Sequence, residues 1–138
     1  MSKVIKVYEL AQLIQVNVMP ILMQNNDVLV SFIQQSKPNV TKMNALKSAS
    51  ELGLDGLEKP LKWLQLVTEH ENEKTNILLI ENFLKLTEQE QMKFYELLKH
   101  RKVAQQNLPK NCCIVIEGNS LEKNKISPII FSLIFCVE

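Results

Sequence analysis

The sequence predicts an α/β domain, a three-layer αβα sandwich around a mainly parallel five-stranded sheet. Three observations lead there. Residues 77–80 (Ile-Leu-Leu-Ile) and 112–116 (Cys-Cys-Ile-Val-Ile) are apolar at every position, as strands covered on both faces are. Segments with helical spacing of apolar residues separate the strand-like runs. The 138 residues, 46% of them apolar, suffice for one domain with a sizeable core and not for two. Helices between successive strands call for parallel pairing, and right-handed crossovers put helices on both faces.

The elements follow in order. Val7, Leu10, Ala11 and Ile14 recur at i, i+3, i+4 and i+7, one face of a first helix. Residues 18–23 are a short apolar run containing Pro20, a strand with an irregular start. Asn25, Asn26 and Asp27 supply turn and N-cap chemistry for a helix carrying Val28, Leu29, Phe32 and Ile33, which has to stop before Pro38. Residues 39–43 form a weaker strand. Asn44 or Thr41 is expected to cap a short helix over 45–52, with Gly53 just past its end.

The second half has stronger signals. Pro60 suits the first turn of a helix whose buried face is Leu61, Leu64 and Val67. After the strand at 77–80, Thr87 and Glu90 form a T-x-x-E capping box ahead of Met92, Tyr95 and Leu98 at helical spacing. Lys99, His100, Arg101 and Lys102 crowd the end of that helix. Ser127 and Pro128 start a helical turn, and residues 133–137 are a last apolar strand.

Composition excludes several classes of function. Sixteen Lys and Arg against fifteen Asp and Glu give a net charge of +1, which argues against a nucleic-acid coat or an acidic tail. No apolar run reaches the ~20 residues of a membrane span, and the N-terminal ten residues lack a signal-peptide core. Cys112, Cys113 and Cys136 lie in apolar runs, and an odd set of buried thiols is expected in a reducing cytoplasm. His70 and His100 are far from each other and from the cysteines, so no zinc spacing appears. Only three glycines are present, Gly53, Gly56 and Gly118, too few for a glycine-rich phosphate cradle.

In a parallel α/β sheet, sites gather beyond the carboxyl ends of the strands. Those ends are 24–27, 81–82 and 117–119. The stretch from ILLIENFLKLTEQEQ (77–91) through NCCIVIEGN (111–119) to ISPIIFSLIFCVE (126–138) resembles the second half of an AAA+ ATPase core, nearest to the MoxR-like group. The first half resembles it more loosely, with Val7–Val16 like the helix before the nucleotide loop and LDGLEKP (54–60) like a downstream motif. The resemblance implies a P-loop NTPase architecture with strand order 5-1-4-3-2, in one domain spanning 1–138 and without the helical lid that follows the core in that superfamily.

The functional positions have changed. Where the family has its phosphate loop, this chain has Met23, Gln24, Asn25, Asn26, Asp27 and Val28, without glycine, lysine or hydroxyl. Asp27 opposes phosphate: two like charges ~4 Å apart cost about 4 kcal/mol at an effective dielectric of 20. Glu81 stands at the position of the Mg²⁺-linked Asp and Asn82 at that of the catalytic Glu, and an amide cannot take the proton of an attacking water. Glu81 alone is a weak metal candidate. Asn119 matches the polar sensor residue, and Leu133 replaces the arginine finger, which is worth about 10³–10⁵ in rate where it acts.

The expectation is therefore a pseudo-ATPase: not an enzyme, with no cofactor, acting by protein–protein contact on an intact AAA+ ATPase, a replication or maturation complex, or a second copy of itself. One alternative is residual binding or slow hydrolysis of ATP with magnesium, resting on Glu81 and Asn119. Another is a DNA-associated, clamp-loader-like subunit. It rests on Lys99, His100, Arg101, Lys102 and Lys110, which flank the region resembling the family's hairpin before the sensor strand. The same cations also complement a helix dipole.

Overall fold

The structure is a computed structural model describing residues 6–16, 19–24, 26–118 and 126–137. Its elements are α1 (Val7–Val16), β1 (Ile21–Met23), α2 (Asn26–Ser36), β2 (Asn39–Asn44), α3 (Ala49–Leu52), α4 (Lys62–Glu69), β3 (Asn76–Glu81), α5 (Glu88–Gln91), α6 (Tyr95–His100), β4 (Lys102–Val103), β5 (Gln106–Asn107), β6 (Cys112–Glu117), α7 (Pro128–Phe131) and β7 (Phe135–Val137). Five strands form one sheet in the order β2-β3-β6-β1-β7, and every pairing in it is parallel.

The α/β expectation holds, and the sheet divides the core in two. On one face α1 and α2 bring Leu10, Ile14, Leu29 and Phe32 against Ile77, Leu79, Cys113 and Val115. On the other, Leu64, Val67, Phe94 and Leu97 meet Leu78, Ile80, Ile114 and Ile116. Alternate residues of β3 and β6 serve opposite faces, so every position from Ile77 to Ile80 and from Cys112 to Ile116 is buried.

Several boundaries differ from the sequence expectation. The first strand is confined to Ile21–Met23, and Asn17 and Val18 lie outside the described residues. Residues 45–47 are a turn, and the helix after β2 begins only at Ala49. Its cap is Ser48, not Asn44 or Thr41: Ser48 Oγ accepts from Glu51 N and Glu51 Oε1 accepts from Ser48 N. Gly53 ends it at φ 76°. Pro60 precedes Leu61, the residue at the N-cap of α4.

The Thr87–Glu90 capping box forms as expected, but the helix behind it breaks into a 3-10 turn at Met92–Phe94 before α6. Phe94, Leu97 and Leu98 are consequently buried, while Met92 and Tyr95 stay half-buried. The last strand is the shorter Phe135–Val137. A hairpin, β4 paired antiparallel with β5, lies in the region likened to the family's hairpin before the sensor strand, although no apolar or turn pattern marked strands there.

Candidate functional site

β1, β6 and β3 are neighbours, so their carboxyl ends lie side by side along one edge of the sheet. Ile80 pairs with Ile116, which sets Glu81 beside Glu117 on adjacent strands, on the α1/α2 side by alternation with Leu79 and Val115. Burial holds the Glu117 carboxyl above its ordinary range, the charge of Glu81 raises it further, and Lys42 on β2 opposes both. Lys42 Nζ lies 4.0 Å from Glu81 Oε2.

Asn82 is already engaged. It adopts the left-handed conformation at φ 66°, which asparagine tolerates better than longer side chains. Its Nδ2 donates to Asn44 Oδ1 at 3.0 Å, and that oxygen also accepts from Leu46 N. The Asn82 amide thus bridges β3 to the end of β2.

The join between β1 and α2 is short. Only positions 24 and 25 separate the two elements, where a G-x-x-x-x-G-K-[ST] loop supplies eight residues. Gln24 N donates to the Val137 carbonyl at 2.9 Å, and the Met23 carbonyl accepts from Gly118 N at 2.8 Å. A Cβ added to Gly118 would lie 2.7 Å from that carbonyl oxygen, so this glycine allows the close approach of β6 to β1. Asp27 is exposed in the first turn of α2. Asn26 Oδ1 is buried without a hydrogen-bond partner, and an orphaned acceptor calls for a donor, not for a phosphate oxygen. Asn25 and Asn119 lie outside the described residues.

The remaining positions are dispersed. Leu133, expected in place of an arginine finger, is half-buried against the larger core cluster and acts there as an apolar packing residue. Arg101 ends α6 at φ 55°, and its guanidinium donates to the carbonyls of Pro109 and Cys112 at 2.9 and 2.7 Å. Lys99 Nζ donates to the Tyr95 hydroxyl. Lys102 lies on the hairpin and Lys110 in the turn before β6. Burial pushes the Cys112 thiol up to about 11 and the Cys113 thiol up to about 12, which makes both poor nucleophiles. Among the described residues no cluster of three or more His, Cys, Asp or Glu could hold a metal ion, and no helix is long and apolar enough to cross a membrane.

Sequence reasoning placed Glu117 at a strand end without giving it a chemical role and did not single out Lys42. A signal existed in the two six-residue strings Asn-Ile-Leu-Leu-Ile-Glu (76–81) and Cys-Cys-Ile-Val-Ile-Glu (112–117), each apolar until a closing glutamate. Their adjacency, however, depends on strand pairing.

Fold and strand ends together define the class: an α/β protein with a parallel five-stranded sheet and polar residues at its carboxyl ends. No protein-family model and no curated protein matches the chain.

Proposed function

We propose that the chain is an AAA+-like core, nearest in pattern to the MoxR-like group, that does not hydrolyse ATP and works through a protein partner. It regulates or scaffolds an intact AAA+ ATPase or a replication or maturation complex. The observation that carries this reading is the two-position join between β1 and α2, with Gln24 N committed to the Val137 carbonyl. A loop of that length has too few backbone N–H groups to surround a phosphate chain. The main-sheet order, read from β7 as fifth, first, fourth, third and second strand, agrees with the order that the AAA+ resemblance implies. Asn82, tied to Asn44, and Leu133, packed inward, support the absence of hydrolysis.

Calorimetric titration with ATP and magnesium, paired with a phosphate-release assay, tests the reading. The expected result is no saturable heat and no release; micromolar binding with turnover overturns it.

The neighbouring carboxylates Glu81 and Glu117 favour one second reading, residual binding of magnesium nucleotide. Under the main proposal a Glu81→Ala, Asn119→Ala double variant behaves like the parent in the same titration. A heat present in the parent and lost in the variant transfers support to the second reading.

A further inference from the structure

On the sheet face away from α1 and α2, a groove of about 670 Å³ runs between residues 53–56, the segment from Met92 to Glu96, and the β4–β5 hairpin. Small-molecule sites are commonly ~300–1,000 Å³, mostly apolar, with a few placed charges. This groove has that make-up. Leu54, Met92, Tyr95 and Val103 give it apolar and aromatic walls, and its charged lining residues are Lys93, Glu96 and Lys102.

The backbone around it is irregular on both sides. Of the seven residues with positive φ among the described residues, four line this groove: Gly53 at 76°, Gly56 at 84°, Ala104 at 48° and Gln105 at 71°. Ala104 and Gln105 form the hairpin turn without the glycine or asparagine such turns prefer. Gly53 and Gly56 adopt these angles without strain, and non-glycine backbone in the left-handed region, as at Ala104 and Gln105, concentrates at ligand clamps and binding sites.

The charge is unbalanced toward positive. Among the described residues neither Lys93 nor Lys102 takes part in an ion pair. Lys93 Nζ donates to the carbonyls of Ala45 and Lys47 at 2.8 and 2.7 Å, which leaves one of its three N–H groups. Burial lowers the pKa of Lys93, against a raising effect of Glu90. The one lining carboxylate, Glu96, acts on Lys99, which lies outside the groove lining.

We propose that this groove binds an apolar carboxylate, its body against Leu54, Met92, Tyr95 and Val103 and its charge toward Lys102 and Lys93. The site is independent of the strand-end residues and of the ATPase question. The carboxylate belongs either to a small free acid or to an acidic residue beside an apolar side chain in a partner peptide.

The test uses 4-phenylbutyrate, its neutral amide and the peptide N-acetyl-Phe-Glu amide, each titrated into ¹⁵N-labelled protein and followed by NMR. Shifts are expected at Leu54, Tyr95, Val103, Ala104 and Gln105. The acid is expected to bind at least about fivefold more tightly than the amide, because only the acid gains a charge pair. In Lys102→Gln that preference falls to less than about twofold while the amide binds as before. Lys102 is exposed, so this variant spares the bracing of residues 45–47 by Lys93. Tighter binding of the free acid or of the peptide assigns the source, and either order supports the site. No shifts at these residues up to about 10 mM, a range that covers fragment-sized ligands, overturns it, as does equal binding of acid and amide.

Discussion

The two ends of the parallel sheet are both polar, and they satisfy their polar groups in different ways. At the amino end, three asparagines from separate segments interlock. Asn39 Nδ2 donates to Asn76 Oδ1 at 2.9 Å, Asn76 Nδ2 donates to the Val67 carbonyl at 2.9 Å, and Asn111 Nδ2 donates to the carbonyls of His70 and Glu73. Asn76 is 0% exposed. Neutral amides can be buried this deeply because each finds partners. At the carboxyl end, Glu81 and Glu117 stand side by side, with Lys42 opposing them. The first arrangement fixes strand positions and stabilises the fold. The second costs stability, because burial and the Glu81 charge disfavour the ionised Glu117.

Four substitutions probe this contrast. The largest effect is expected for Asn76→Ala, which removes three hydrogen bonds of a fully buried side chain, to the Val67 carbonyl, Asn39 Nδ2 and Asn111 Oδ1: a loss of roughly 3 kcal/mol and of about 10 °C in melting temperature, read by circular dichroism. A loss below about 1 kcal/mol would break the contrast, because the network would then add no more than an ordinary hydrogen bond. Next is Gly118→Ala, whose Cβ meets the Met23 carbonyl; forcing β6 and β1 apart costs about 2 kcal/mol in urea denaturation.

Glu117→Gln should have the opposite sign. The folded-state pKa of Glu117 is raised above its ordinary 4.5. The folded state therefore holds this proton more tightly than the unfolded chain, and the parent loses stability as pH climbs from about the ordinary value through the raised one. Solvent screens this half-exposed group, so the gain from Gln at pH 7 is about 0.5 kcal/mol, and it vanishes in parallel melts near pH 4. The smallest effect belongs to Lys42→Gln, a loss of about 0.3 kcal/mol at pH 7 that added salt erases. Equal melting temperatures for Glu117→Gln and the parent at every pH would remove the electrostatic half of the contrast.

Much of the fold was legible in the sequence. The continuous apolar runs marked β3 and β6, Thr87 and Glu90 marked the start of α5, and Pro38 marked the end of α2, where Lys37 turns left-handed at φ 46°. Three features were not legible in the local pattern. The hairpin was marked by the family resemblance alone, since its Ala-Gln turn carries no turn signal, and Arg101 closes its base by reaching the Pro109 and Cys112 carbonyls. The break at Met92–Phe94 turns Phe94 toward Phe83, their ring centroids 5.4 Å apart, and that choice depends on a residue eleven positions away. Ser48 rather than Asn44 caps α3 because Asn44 Oδ1 is taken by Leu46 and Asn82.

The candidate site divides in the same way. Missing glycines, an amide at Asn82 and a leucine at Leu133 are chemical identities, visible in the sequence before any fold is known. The alternation of apolar runs with helical spacing likewise determined the α/β class, because burial on two faces requires apolar residues at every position. Only the tertiary structure decided that Glu81 neighbours Glu117, that Gly118 clasps Met23, and that residues 53–56 close a groove against a hairpin some fifty positions later. Each of these depends on which strands and loops meet across long stretches of chain, and local residue preferences do not carry that choice.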